Sequence, residues 1–398
     1  MPSKGRLRLG PGASGALFYF SFYGAAAAYS PFISVFYADR DLSGSEIGVL
    51  AAIGPVMALL AAPPLSALAD RKAWRRRMLV LSLAGTAAAL LMLPLPSSFV
   101  WFLPVVALLS AVGSISIPVA DSLVARMAAR RDLSYGKMRL WGSVSWAVVA
   151  ALGGALWQQA GFFLMFPLAS LLFLATIPSV GWLEEDRPFE SQARPPLRLV
   201  MADIRLRVVL LASLGLGTAM SAMYTFSAIY IDRIGGQSLL GLFAGAMAIS
   251  ELPVMHWSER ITRRLGGPLT LVLAYSCFGS AYVGLAFIQS PALLGVAFLQ
   301  GLGFGLFLPT TVRLFADWAP AEWSSTSQGI LSAGVWGLAP LIAVPLGGVI
   351  YDNIGPTAVF FASAGVIALA ALVLLLAQFA GVFKEEQATA NEIVRREM

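Results

Sequence analysis

The chain alternates between long stretches with no acidic or basic side chain and short polar breaks. Leu9 to Ala38 is such a stretch of 30 residues, Ile47 to Ala69 one of 23, Met78 to Ala120 one of 43 and Leu140 to Leu183 one of 44. Val208 to Ile231 gives 24, Leu265 to Val312 gives 48, Trp323 to Tyr351 gives 29 and Asn353 to Phe383 gives 31. A helix of about 20 apolar residues crosses the roughly 30 Å of bilayer hydrocarbon. The three longest stretches each have room for two crossings, divided at Pro94-Leu-Pro96, Gln158-Gln159-Ala-Gly161 and Gln289-Ser-Pro291. A further segment, about Leu239 to Trp257, tolerates one carboxylate, Glu251. The pattern predicts an all-α membrane protein with twelve transmembrane helices, at about 14–38, 45–69, 78–96, 99–127, 137–160, 162–182, 206–232, 239–258, 268–288, 291–315, 326–351 and 356–382. The runs are continuous and not alternating, which excludes β-barrel strands. The first run reads as a span and not as a signal peptide, being too long and followed by no small-residue cleavage site.

Composition agrees. Hydrophobic residues make up 58% and charged ones 12%, against about 25% charged in soluble domains, so these charges could not cover soluble domains. The net charge of +6 would on its own suggest nucleic acid, and where the cations lie decides against it. With an inside N-terminus, 25 of the 27 Lys and Arg residues fall on inside segments, and only Arg40 and Arg233 lie outside. That is the positive-inside pattern, with both termini cytoplasmic in a bacterial-type inner membrane, and it argues against nucleic acid as a partner. One cysteine (Cys277) and one histidine (His256) exclude an internal disulfide and a His/Cys metal cluster, and exclude a histidine-based catalytic triad anywhere but at His256. No Gly-x-x-x-x-Gly-Lys loop occurs, so ATP is not the energy source. No metal and no cofactor is expected.

The chain divides into six spans plus six. Its longest polar stretch, Glu184 to Arg207, lies between spans 6 and 7. This sets an N-terminal six-helix bundle over 1–183, a cytoplasmic linker over 184–205 and a C-terminal bundle with its tail over 206–398. The halves resemble each other. Tyr37-Ala-Asp39-Arg40 ends span 1 and Tyr230-Ile-Asp232-Arg233 ends span 7; Ser45-x-x-Gly48 then corresponds to Ser238-x-x-Gly241. Spans 2 and 8 run into Leu68-Ala-Asp70-Arg71 and Trp257-Ser-Glu259-Arg260. Four features in matched order indicate internal duplication and a pseudo-twofold arrangement.

Twelve spans, a duplication and a basic loop after span 2 together resemble the major facilitator superfamily. The loop reads Ser66-Ala-Leu-Ala-Asp70-Arg71-Lys-Ala-Trp-Arg75-Arg76-Arg77, with Ser66 at the position of the signature's leading glycine. A narrower resemblance lies in Pro118-Val-Ala-Asp121-Ser-Leu and Tyr135-Gly-Lys-Met-Arg139-Leu-Trp141-Gly-Ser-Val-Ser-Trp146. These strings are similar to the group that holds phenylpropionate, nucleoside and lactose permeases. The resemblance implies a carboxylate at Asp121, an arginine at Arg139 and a sugar-stacking tryptophan at Trp146, and a sugar-binding glutamate at Glu251. It also implies that Asp70, Arg71 and Arg75, with Glu259 and Arg260 in the second half, form acid-arginine networks that gate the inner face. Span 10 departs from the lactose permease pattern. It carries Gly301-Leu-Gly-Phe-Gly-Leu-Phe-Leu-Pro309 in place of a His and a Glu, so that coupling site is absent.

Ionisable groups inside spans cost about 2.5–3.5 kcal/mol on insertion scales and mark function by default. Asp121, Glu251 and His256 lie within spans and Arg139 near the start of span 5. A carboxylate in a span beside an arginine can share one charge balance between a proton and a solute, so Asp121 and Glu251 are the candidate proton-coupling groups. Each could instead form a purely structural pair. His256, near a helix end, reads as a hydrogen-bonded structural histidine. Tyr29 and Tyr224 lie at corresponding depths in spans 1 and 7 and are the expected cavity-wall aromatics. Trp146 offers a flat face to a ring or packs between helices. It lies seven residues from Arg139, on one side of span 5, with Gly142 between them expected to leave room for a ligand. The expected function is secondary active transport by alternating access: a monomeric, proton-coupled symporter, in contact with membrane lipids, for a small sugar-like, nucleoside-like or aromatic-acid solute. A sugar or drug exporter is the alternative in the same class. A lipid flippase or an intramembrane enzyme is the alternative outside it; an enzyme would need paired catalytic groups, for which only Asp121 and Glu251 offer themselves.

Overall fold

Prolines and glycines set where these helices start, break and bend. In the computed structural model, which describes residues 10–185, 202–319 and 324–384, α1 (Pro11–Ala27) ends ahead of Pro31, and α2 (Ile33–Ala38) resumes after one 3₁₀ turn. Pro31 has no N–H and its ring needs room; at the break the Trp157 indole N–H donates to the Ala28 carbonyl at 2.9 Å. Pro63-Pro64 likewise separates α3 (Gly44–Leu60) from α4 (Ala62–Arg71), and Pro118 lies in the first turn of α7 (Ser116–Arg130), just after α6 (Phe99–Gly113). The first half also contains α5 (Arg75–Met92), α8 (Tyr135–Ala160) and α9 (Met165–Val180).

In the second half α10 (Ile204–Leu265) holds the two spans expected at 206–232 and 239–258 as two helices that meet at a kink, where Gly235 and Gly236 leave helical geometry. Gly236 has φ +68°, a conformation that suits glycine alone. It is followed by α11 (Gly267–Phe287), α12 (Leu293–Trp318), α13 (Ser324–Ser332), a π-helical turn (Ala333–Leu338), α14 (Ala339–Asn353) and α15 (Pro356–Phe379). Among the described residues the regular structure is all helical. Eight of these stretches are long and apolar enough to cross a membrane. The two helices of α10 count once among them, α1 and α9 are only 17 and 16 residues long, and α5 opens on three arginines.

The described residues form two compact units, one drawn from 1–30 and 57–190, the other from 31–56 and 191–398. In the first, α1 packs along α8 and α9, and α5 along α6 and α9. One of its polar ties runs from side chain to backbone: Ser170 Oγ donates to the Ala87 carbonyl at 2.6 Å. At its linker end, Glu184 accepts from Arg131 at 2.6 Å, and this hydrogen bond holds its carboxyl below the ordinary range. In the second unit, α10 packs along α12, α14 and α15, and α11 along α12 and α15. The hairpin from α2 to the start of α3 belongs here by packing, although by sequence it lies in the first repeat.

The start of α3 shows why. A helix leaves its first N–H groups without partners inside the helix. Ser43 and Glu46 satisfy two of them reciprocally: Ser43 N donates to Glu46 Oε2 at 2.9 Å and Glu46 N donates to Ser43 Oγ at 3.2 Å, a capping box. Asp352, at the end of α14, takes the next two, from Gly44 N at 2.6 Å and Ser45 N at 2.8 Å, and also the Ser45 hydroxyl at 2.6 Å. Gly48 brings the backbones together, since a methyl there would lie 2.7 Å from the Val344 carbonyl oxygen. A lost N-cap costs about 0.5–2 kcal/mol. Asp352→Ala is therefore expected to lower the melting temperature in detergent, and Asp352→Asn, which keeps an acceptor, to lower it less. An Asp352→Ala protein that melts with the wild type would show that this carboxylate does not hold α3.

Candidate functional site

Helix α1 carries four aromatics, Phe18, Tyr19, Phe22 and Tyr23, whose rings contact one another; Tyr19 and Tyr23, at i and i+4, share one face. Glycines let α8 approach it. A methyl at Gly24 would touch Val149 at 3.4 Å, and one at Gly142 would press on Tyr23 Cδ2 at 2.6 Å. The room at Gly142 is thus taken by the Tyr23 ring and not left for a ligand, which corrects the expectation from sequence.

Arg139 lies on this seam. Its Nη2 donates to Tyr23 Oη at 2.6 Å, and its guanidinium carbon sits 3.9 Å from the Tyr23 ring centroid and 5.5 Å from that of Tyr19. Cation–π contact is worth about 0.5–1 kcal/mol at exposed sites and about 2 when desolvated, enough to offset much of the cost of a charge within a span. Tyr19 Oη donates to Asp121 Oδ1 at 2.6 Å. Tyr135 stands edge-on to Tyr19 at 6.1 Å. Asp121 and Arg139 are joined through two tyrosines and not by direct contact. Trp146 lies on the same side of α8, its ring centroid 6.5 Å from Tyr23. Stacking uses the face of a guanidinium and leaves its edge, whose N–H donors beyond the one given to Tyr23 suit carboxylate or hydroxyl oxygens. The cluster is therefore built to hold a planar cation beside an indole face.

The second unit gathers Tyr224, Met247 and Glu251. Glu251 is 9% exposed and lies one turn beyond Met247, whose sulfur accepts from Tyr224 Oη at 3.8 Å. The glycines of 301–305 explain the departure in span 10. A methyl at Gly301 would overlap Ser250 and Met247, one at Gly305 would lie 2.8 Å from the Glu251 carbonyl oxygen, and one at Gly303 would lie 2.8 Å from Phe278. The run is where α12 meets α10 and α11 backbone to backbone.

Other expected residues fall elsewhere. Tyr29 packs on Phe173 of α9 at 6.2 Å, apart from the Arg139 cluster. Arg75 is buried at 1% exposure, while Arg71 and Arg260 are exposed. Glu259 pairs with Arg263 of its own helix at 3.7 Å. The Asp70 side chain lies outside the described residues. His256 is exposed, edge-on to Trp257 at 6.4 Å, and not the hydrogen-bonded structural residue expected from its position. Among the aromatics of span 1 the sequence favoured Tyr29, and Tyr19, Tyr23 and, at the start of α8, Tyr135 were passed over. The available signal was spacing: Tyr19 and Tyr23, and Tyr135 and Arg139, are each four residues apart.

Apolar helices enclosing a charged, aromatic-lined cluster define a membrane transport protein. Residues 14–362 match the model of the MFS_1 like family, and the chain belongs to that family, within the major facilitator superfamily. It is 30% identical over 372 residues to the maltose permease of Geobacillus stearothermophilus, across 90% of this chain and 93% of that one. It is 28% identical over 385 residues to the probable 3-phenylpropionic acid transporter of Escherichia coli (strain K12), across 92% and 95%. The crystal structure of the nucleoside transporter NupG shares the fold at TM-score 0.79 and 12% identity, over 92% of this chain and 99% of that one. The protein is thus an integral, multi-pass membrane transporter of small molecules and not an enzyme.

The packing makes Gly142→Ala a sharp probe. The added methyl must displace Tyr23, an overpacking cost of about 1–3 kcal/mol. Gly136→Ala meets nothing nearer than Ser134 Oγ at 3.9 Å and should melt at or above the wild-type temperature. Equal melting of the two variants would mean that Tyr23 is not seated against α8 as described.

Proposed function

We propose that this protein is a proton-coupled symporter for a small solute that joins a ring to hydroxyl or carboxylate groups. The observation that carries this reading is the Arg139 guanidinium stacked on Tyr23 and bonded to its hydroxyl. A stacked guanidinium with its edge open recognises an anionic or hydroxylated group, and Trp146 beside it offers a face to a ring. A relative named as a maltose permease and another named as a probable 3-phenylpropionic acid transporter support that solute class. In this reading twelve spans cross the plasma membrane as two six-helix repeats, 1–183 and 206–398, joined by a cytoplasmic linker, with both termini cytoplasmic. The protein works as a monomer by alternating access.

Glu251 serves as the proton site and Asp121, through Tyr19, balances the charge of Arg139. A buried carboxylate that binds a proton loses its charge, so a proton can move with the solute without leaving an uncompensated ion in the span. Tyr224, next to Glu251 by way of Met247, belongs to the solute wall. Asp70, Arg71 and Arg75, with Glu259 and Arg260, gate the inner end, and Asp352 closes on α3 at the opposite end.

In proteoliposomes with an imposed pH gradient, the wild type should accumulate its solute against a concentration gradient. Glu251→Gln, which keeps shape and hydrogen bonding but cannot ionise, should abolish accumulation while exchange across equal concentrations continues. Accumulation by the variant at the wild-type level would remove Glu251 from the coupling.

A further inference from the structure

The π-helical turn between α13 and α14 is unused by the site described above, and its cause is local. Pro340 has no N–H to give the Trp336 carbonyl four residues earlier, and its ring pushes that carbonyl aside. The helix widens instead, and the Ala339 N–H reaches back to the Gly334 carbonyl. Such bulges are rare and frequent at functional sites. The turn is seated against α10 from behind: a methyl at Gly217 would lie 2.7 Å from the Val335 carbonyl oxygen, and one at Gly334 would lie 3.0 Å from Leu214. Val335 and Gly337 are buried, so the residue between them is turned outward. That residue is Trp336, 42% exposed, with its ring edge-on to Phe304 of α12 at 6.3 Å.

Two exposed stripes run along this segment. Leu338, Ile342, Leu346 and Val349 form one, wholly apolar and suited to lipid tails. Gly329, Ser332, Ala333 and Trp336 form the other, at i, i+3, i+4 and i+7, on a different side of the helix. Small and hydroxyl-bearing residues there would gain nothing from lipid, so this stripe suits water and solute. A tryptophan among them, braced by a phenylalanine, is a flat apolar platform.

We infer that Trp336, set by the π turn and braced by Phe304, is a specificity-determining residue of the C-terminal unit that takes the ring face of the solute. This rests on the reading above that a ring-bearing solute is carried. The platform is apolar where Arg139 is charged, so it would discriminate between solutes by their rings and not by their anionic groups.

The first measurement needs no solute. In a Cys277→Ser background, Trp336→Cys should react with a charged, water-soluble thiol reagent at least about tenfold faster than Ile342→Cys on the apolar stripe. Equal, slow reaction at both positions would put Trp336 in lipid and overturn the inference. The second uses maltose and 3-phenylpropionate as probes. Trp336→Ala should weaken binding of whichever probe the wild type takes by about tenfold at unchanged melting temperature, and Trp336→Phe should lose less. Pro340→Ala, which keeps the tryptophan but restores a donor to its carbonyl, should weaken binding as Trp336→Ala does. Unchanged binding in Trp336→Ala would overturn the inference. Should the wild type take neither probe, the cysteine rates alone decide for or against an aqueous Trp336.

Discussion

The stack of Arg139 on Tyr23 is the contact around which the first unit is organised. A guanidinium is costly in an apolar span unless its charge is met. Here two tyrosine rings meet it electrostatically, Tyr23 also meets it with a hydrogen bond, and Asp121 faces it from α7 through Tyr19. The arrangement requires α1 and α8 to lie close enough for a ring on one to rest against the backbone of the other. Gly142 makes that possible. The packing of the two helices and the presence of a charge between them are one requirement.

The same economy governs the second unit. Between helices in a bilayer there is no hydrophobic drive to association, because lipid tails are as apolar as leucine, and small residues that allow close approach take over. Gly301 and Gly305 bring α12 onto α10 at Glu251, Gly217 brings α10 onto the π turn, and Gly44 and Gly48 bring α3 onto α14. Every backbone group exposed by a break must then find a partner. The Trp157 indole at Ala28 and the Asp352 carboxylate at the start of α3 are two such partners. Both tie the ends of interrupted helices to their neighbours.

Much of the fold was legible in the sequence because charge-free runs measure helix length directly. The break between the spans at 206–232 and 239–258 was legible as well, and the non-helical dihedrals of Gly235 and Gly236 separate two helices there. The site was half legible. Asp121, Arg139 and Glu251 stood out because charged groups in apolar runs are conspicuous, and Trp146 through the resemblance of its segment to the permeases. Tyr19 and Tyr23 did not, since α1 is rich in aromatics and only the position of α8 distinguishes them from Phe18 and Phe22. Tyr29 was chosen by depth alone, and depth does not fix which side of a helix a residue occupies. Trp336 was hidden for a different reason. A regular helix would give it another orientation, and the π turn becomes visible in the sequence only once Pro340 is read as withholding a donor.

The central claim is that the planar guanidinium of Arg139, and not merely its positive charge, binds the solute. Lysine keeps the charge but lacks the fork and the stacking face. Titration of purified wild type and Arg139→Lys against maltose, nucleosides and 3-phenylpropionate, with melting temperatures measured on the same samples, tests it directly. The account predicts that the solute bound by the wild type loses at least tenfold in affinity, about 1.4 kcal/mol, in a variant that still melts near the wild-type temperature. Wild-type affinity in Arg139→Lys would contradict it.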